Sequence, residues 1–201
     1  IEMVVAIGLT VVLISGGIDL SVGSVVALSA VVVALAFNAD ASIHLAITAG
    51  MLSGLAVGLV NGVLIAYVGL NPLITTLGTM TIFRSLVFVL SGGYALSSIP
   101  GAYKSLANGT FFFGFPNLVV LVVLLVTIFH VVLWQNVWFR KFAFLGGSEM
   151  AAVRAGINVK RLKLAGYVIC SLFAALGGVI VVARLGSAFP NTATGMELRV
   201  I

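Results

Sequence analysis

One cysteine is present, Cys170, so no disulfide can form within the chain, and its place in the apolar run from Leu164 to Ala183 suits a structural thiol among helices. Charge is scarce too: Asp, Glu, Lys and Arg together make up 7% of the residues, far below a soluble domain. Signatures of catalysis are missing. There is no Gly-x-x-x-x-Gly-Lys-Ser/Thr loop to hold ATP, no Gly-x-Ser-x-Gly elbow and no His-Glu-x-x-His pair. His44 and His130 stand alone, with no second ligand at metal spacing, so neither a metal centre nor catalysis is expected. The chain opens at Ile1 with no Met and no signal peptide and closes at Ile201 with no tail, so both ends read as cut.

What is there is apolar. Hydrophobic residues make up 62% and the mean hydropathy is +1.30, which defines a polytopic membrane protein of the all-α class, a single transmembrane domain over residues 1–201. A spanning helix needs about 20 apolar residues. No charge occurs between Asp40 and Arg84, leaving room for one span from Ile43 to Tyr67 and another that starts at Asn71-Pro72, where proline marks a helix start after a turn. Leu118 to Phe139 and Leu164 to Ala183 are two further runs. Near the start, Glu2 to Ile14 and Val22 to Phe37 are apolar pieces separated by Gly16-Gly17-Ile18-Asp19-Leu20-Ser21, and the shortness of the first suits a truncated or broken helix.

The net charge of +5 and the pI near 9.8 do not point to nucleic acid, because six of the ten cations lie in one loop, 140–163. Arg140, Lys141, Arg154, Lys160, Arg161 and Lys163 face one acid, Glu149, and a loop so positive is retained on the cytoplasmic side. Walking outward, Trp134 and Trp138 fall at the inner interface, the segment from Ser91 to Asn117 with Phe111-Phe112-Phe113 lies outside, and Gly69 to Pro72 lies inside. Within the cationic loop a small helix has its own start and stop. Ser148 is a good N-cap, Glu149 favours the positive helix end, Met150 to Ala155 are mostly helix formers, and Gly156 suits the terminating position. About eight residues at 1.5 Å each give roughly 12 Å, too short to be stable alone, so tertiary contacts or a partner must order it.

Small residues recur every fourth position at Ala46, Gly50, Gly54, Gly58, Gly62 and Ala66, a ladder that lets another backbone approach closely, within the subunit, at a subunit interface or along a sliding helix. Two charges sit within or near the apolar layer, Asp19 and Arg84, where such groups face a cavity or a partner. Asp19 either lines a polar pathway or caps the helix beginning near Val22. Arg84 can snorkel, pair with Asp19 or brace helices beside a substrate route. Asn61 and Asn71 join Asp19 and Arg84 as candidate pathway positions.

Gly16-Gly17-Ile18-Asp19-Leu20-Ser21-Val22-Gly23-Ser24 and Ile74-Thr75-Thr76-Leu77-Gly78-Thr79-Met80-Thr81-Ile82-Phe83-Arg84 resemble the permease subunits of ribose, xylose and arabinose-type ABC sugar importers. The most specific match joins Gly146-Gly147-Ser148-Glu149-Met150-Ala151-Ala152, Gly156-Ile157-Asn158-Val159 and Ala183-Arg184-Leu185-Gly186-Ser187-Ala188. Around Ser148 and Glu149 the chain departs slightly from the family's usual Asn-Pro or Asn-Glu. Relative to the family's length, the chain reads as short by roughly one span at its N-terminus and several at its C-terminus.

The resemblance implies a permease of a two-subunit pore in the bacterial inner membrane, its second permease identical or different. Sugar arrives from an extracytoplasmic binding protein, and ATP and Mg are held by a separate ABC ATPase, with no cofactor in this chain. Ser148, Glu149, Met150, Ala151, Ala152, Ala155 and Gly156 then form the coupling helix, with Ala151, Ala152 and Ala155 as a slim face for a cleft in the ATPase. The competing readings are an ion-coupled carrier of small polar solutes, for which only Asp19 offers an embedded acid, and a membrane scaffold without transport.

Overall fold

The computed structural model describes residues 1–110 and 114–201, apart from the side chain of Trp134; the Phe111 to Phe113 cluster and the interfacial role of Trp134 lie outside the described residues. Ten helices follow in order among these residues: α1 (Glu2–Ile14), α2 (Val22–Asn38), α3 (Ile43–Val63), α4 (Pro72–Ser91), α5 (Gly101–Asn108), α6 (Asn117–Gln135), α7 (Val137–Gly147), α8 (Glu149–Arg154), α9 (Val159–Leu185) and α10 (Met196–Val200). No strand occurs among them, only isolated bridges such as Leu96 with Ala188. The architecture is an all-α membrane bundle.

Among the described residues three unbroken elements are long and apolar enough to cross a bilayer, Ile43–Val68, Pro72–Ser91 and Val159–Leu185, and the bent pair formed by α6 and α7 qualifies when taken together. At 1.5 Å per residue the 27 residues of α9 extend about 40 Å, more than the ~30 Å hydrocarbon layer. The span begun by α3 ends in a wider π-helical turn, Leu64–Val68, closed by Gly69 at φ +83°. Two residues later Asn71 restarts the chain, its Oδ1 accepting from the N–H groups of Leu73 (2.9 Å) and Ile74 (3.4 Å) with Pro72 in the first turn. Gly for the stop and Asn-Pro for the start make the reversal a local property of the sequence.

The core is built on α9 and α2. Apolar on all sides, α2 is buried nearly throughout, with Val22, Val25, Val26, Ala30, Val31, Val33 and Ala34 sealed from solvent, as expected of a helix surrounded by others. The glycine ladder of α3 seats its neighbours. A Cβ at Gly58 would meet the Val168 Cα at 2.8 Å, one at Gly62 the Leu164 Cα at 3.1 Å, and one at Gly54 would overlap Ala175, so α3 and α9 approach backbone to backbone. Gly50 continues the ladder against Val33 and Ser29 of α2. Over the far end of α9, α5 is fastened by Tyr103, whose hydroxyl donates to the Val179 carbonyl (2.9 Å), and by Asn108, whose amide donates to the Arg184 carbonyl (3.2 Å).

The run from Leu118 to Phe139 is not one straight helix. It breaks at Asn136, where α6 and α7 meet at 75°. Asn136 takes an extended conformation and its Oδ1 accepts from the Trp138 N–H (2.9 Å), so a single polar residue ends one helix and caps the next.

Candidate coupling surface and polar pathway

The cationic loop folds into α8 between two sequence-encoded ends. Ser148 accepts from the Ala151 N–H (3.2 Å) through its hydroxyl. At the other end Ile157 N–H donates to Ala152 O and Gly156 N–H to Val153 O, each at 3.0 Å, with Gly156 at φ +75°. These two bonds form a Schellman motif, in which a left-handed glycine satisfies the last carbonyls. Glu149 in the first turn pairs with Lys163 at 2.8 Å, tying α8 to the start of α9. The helix covers six residues, shorter than the expected eight, because Ala155 and Gly156 belong to the terminating turn.

The face α8 presents differs from the one expected. Ala152 is fully buried, in an apolar cluster with Val11, Phe142, Leu145, Val159 and Leu162, so it holds α8 against its own chain. Ala151 and Ala155 are exposed, and the large apolar groups turned outward are Met150 (66% exposed) and Val153 (59%). Beside them opens a groove of about 510 Å³, lined by Tyr67 and Val68 from the end of the first span and by Glu149, Val153, Lys160 and Lys163. Exposed apolar residues framed by Lys at a helix-loop-helix corner form a surface suited to a protein partner. The loop is also joined to the membrane part: Gly146, near the end of α7, lies directly against the Ile14 carbonyl at the end of α1.

The break between α1 and α2 carries a buried polar junction. Asp19 is sealed from solvent, and its Oδ1 accepts from the Ser21 N–H (2.9 Å) and the Ser21 hydroxyl (2.6 Å), just ahead of α2. Asn61 of α3 reaches in, its Nδ2 donating to the Ser21 Oγ at 2.8 Å. Tyr167 of α9 donates to the Ile18 carbonyl (3.3 Å). Asp19 Oδ2 and Asn61 Oδ1 have no hydrogen-bond partner among the described residues. The sequence-predicted Asp19 and Asn61 are thus brought together through Ser21, which the sequence reading did not single out. Asn71 is remote in role, exposed and occupied as the α4 cap.

Arg84 is not paired with Asp19. Its Nη1 donates to the carbonyls of Thr192 (2.7 Å) and Pro190 (3.1 Å), more than 100 positions along the chain. Near Gly23 of α2 this guanidinium approaches Glu197 of α10: a Cβ on Gly23 would lie 2.6 Å from Glu197 Oε2 and 3.6 Å from Arg84 Nη2. Glu197 carried no signal in the sequence beyond its charge, because its neighbours, Gly23, Arg84 and the 191–195 loop, come from separate segments.

Comparison with known proteins places these features. The family profile described as branched-chain amino acid transport system / permease component matches residues 1–201. The L-arabinose ABC transporter permease protein AraH of Azospirillum brasilense is 38% identical over 201 residues, 98% of this chain and 58% of that protein. The L-arabinose transport system permease protein AraH of Escherichia coli K12 is 38% identical over 98% of this chain and 60% of its own length. The ribose import permease protein RbsC of Bacillus subtilis is 37% identical over 100% of this chain and 63% of its own length. The chain therefore spans 58–63% of these curated relatives. No solved structure matches. A match over all 201 residues, on a bundle with helices long and apolar enough to span a membrane, makes the chain a member of the branched-chain amino acid transport system / permease component family.

Proposed function

We propose that this chain is the membrane-spanning part of an ATP-driven importer of a monosaccharide, a ribose-like pentose or a related sugar. A separate ABC ATPase holds ATP and Mg and docks on α8, a second permease subunit completes the pore, and an extracytoplasmic binding protein delivers the sugar. The protein is multi-pass in the bacterial inner membrane, in contact with lipid, with loop 140–163 on the cytoplasmic side, as its six cations favour. The sugar assignment follows the arabinose and ribose permeases at 37–38% identity rather than the family's general description.

One observation carries the coupling role: α8 has both ends satisfied within the chain, yet it turns Met150 and Val153 outward beside an open groove. Closure of the ATPase pair would push on this face, and Gly146 would pass the movement to the end of α1. Such coupling requires contacts that differ between the two states. The test is Val153→Asp in the full-length protein, co-purified with its ATPase. The expected result is loss of the ATPase from a complex whose permease is normally inserted; full retention with normal ATP-driven uptake would remove α8 as the docking element.

A further inference from the structure

A cavity of about 340 Å³ lies between α4, the 190–195 loop and α10, at the small end of the ~300–1,000 Å³ range of ligand pockets. Its polar side chains include Arg84, Ser85, Asn191 and Glu197, beside Thr81 and Thr194 whose hydroxyls already donate to the Leu77 and Asn191 carbonyls, and Met80 and Phe88 give it apolar walls. We infer that this cavity is a contact site for the transported solute, and that it takes a neutral polyol. The inference rests on the import function proposed above and gives that function a location and a ligand chemistry.

Charge decides the ligand class first. Arg84 and Glu197 both lie close to Gly23, near enough to attract each other but with no ion pair between them among the described residues. The cavity therefore offers a strong donor and a strong acceptor but no net charge, which gives an anion or a cation no advantage. A zwitterion is the nearest competitor, with its carboxylate on Arg84 and its ammonium on Glu197. The geometry weighs against it. Arg84 Nη1 is already committed to the Pro190 and Thr192 carbonyls, so the two-pronged grip that a carboxylate favours is only partly open. Single hydroxyls need one donor or one acceptor each, and the Nη2 of Arg84, the Glu197 carboxylate, the Asn191 amide and the Ser85 hydroxyl supply both kinds. Glu197 Oε2 is shielded from solvent and has no hydrogen-bond partner among the described residues, an unsatisfied acceptor beside the cavity.

The backbone around the cavity is fixed for this use. Gly23 leaves the space in which a side chain would collide with Glu197 Oε2 and the Ala193 carbonyl, and Arg84 is held by two carbonyls before any ligand arrives. Preorganised donors of this kind lose little freedom on binding.

The experiment uses the full-length permease in vesicles with its ATPase and binding protein, and compares the native protein with Glu197→Gln, Asn191→Ala and Ser85→Ala. Uptake of labelled ribose, arabinose and leucine is followed together with ATP hydrolysis. Native ATP-dependent pentose uptake tests the import reading by itself, and its failure would remove that reading whatever the variants do. Given that uptake, the expected result is at least a tenfold loss in Asn191→Ala or Glu197→Gln, with ATP hydrolysis within twofold of native and a changed ratio of ribose to arabinose. Unchanged rates and ratio in all three variants would overturn the cavity as a solute contact. Leucine uptake in place of pentose would overturn the polyol class. Glu197→Gln preserves size and Ser85→Ala alters an exposed residue, so a fall confined to variants that no longer assemble would also count against the site.

Discussion

Gly146 sits so close to Ile14 that a methyl group on its α-carbon would overlap the Ile14 carbonyl oxygen. The contact joins α7, which leads into the exposed α8, to the end of α1, after which come Asp19 and Ser21 of the buried junction. Backbone touches backbone, with no flexible side chain between them to absorb a displacement. Under the proposed coupling role, a rigid contact of this kind would carry a shift in α8 to the break between α1 and α2.

Gly146→Ala is therefore expected to destabilise the full-length protein by about 1–3 kcal/mol, the usual cost of forcing extra volume into a filled site. Thermal unfolding in detergent reads the loss. ATP-driven uptake should fall further than the remaining folded fraction explains. An unchanged unfolding temperature would show that the Ile14 contact is not maintained.

Two alanines of α8 should behave differently. Ala152 is sealed among Phe142, Leu145 and Val159, so Ala152→Arg buries an unpaired charge and costs about 3 kcal/mol or more. Ala151 is exposed, so Ala151→Arg should leave folding within about 0.5 kcal/mol of native while weakening ATPase docking. Unfolding curves and co-purification of the ATPase separate the two effects. Equal loss of stability in both variants would contradict the burial pattern.

The ladder of α3 predicts a contrast with α4. Gly58→Ala places a methyl against the Val168 backbone and should destabilise by about 1–3 kcal/mol. Gly78, in the middle of α4, has nothing within 4 Å of the same position, so Gly78→Ala should be neutral or stabilising by up to about 1 kcal/mol. Unfolding temperatures of the two variants in one detergent check the pair.

These contrasts mark how far the sequence alone could be read. The helix ends at Asn71-Pro72, Ser148 and Gly156 and the ladder from Ala46 to Ala66 are local signals, since each depends on residues within a turn or two. The kink at Asn136 was hidden because a single polar residue in an apolar run is compatible with a continuous helix; only its capping of Trp138 reveals the break. Ala152 was misplaced on the outer face because alanine is small enough for either side of a helix, and its burial depends on Phe142 and Leu162 from other helices. The partners of Arg84 were out of reach for the same reason, lying at Pro190 and Thr192.

Asp19 tests whether its charge or its shape is needed. Asp19→Asn keeps an oxygen to accept from the Ser21 N–H and hydroxyl, so folding and ATP-driven uptake should persist. Asp19→Ala removes both bonds and should cost about 1–3 kcal/mol by leaving buried donors unpaired. Complete loss of uptake in a well-folded Asp19→Asn protein would make the carboxylate charge itself functional and would favour an ion-coupled carrier.

The central claim is that transport through this chain is driven by ATP hydrolysed on a partner. It is tested most directly by uptake of labelled ribose and competing sugars into vesicles that hold the full-length permease, its ATPase and its binding protein, with and without ATP and with an ionophore. The predicted result is ATP-dependent uptake that survives the ionophore. Uptake that ignores ATP and collapses with the ion gradient would contradict the claim.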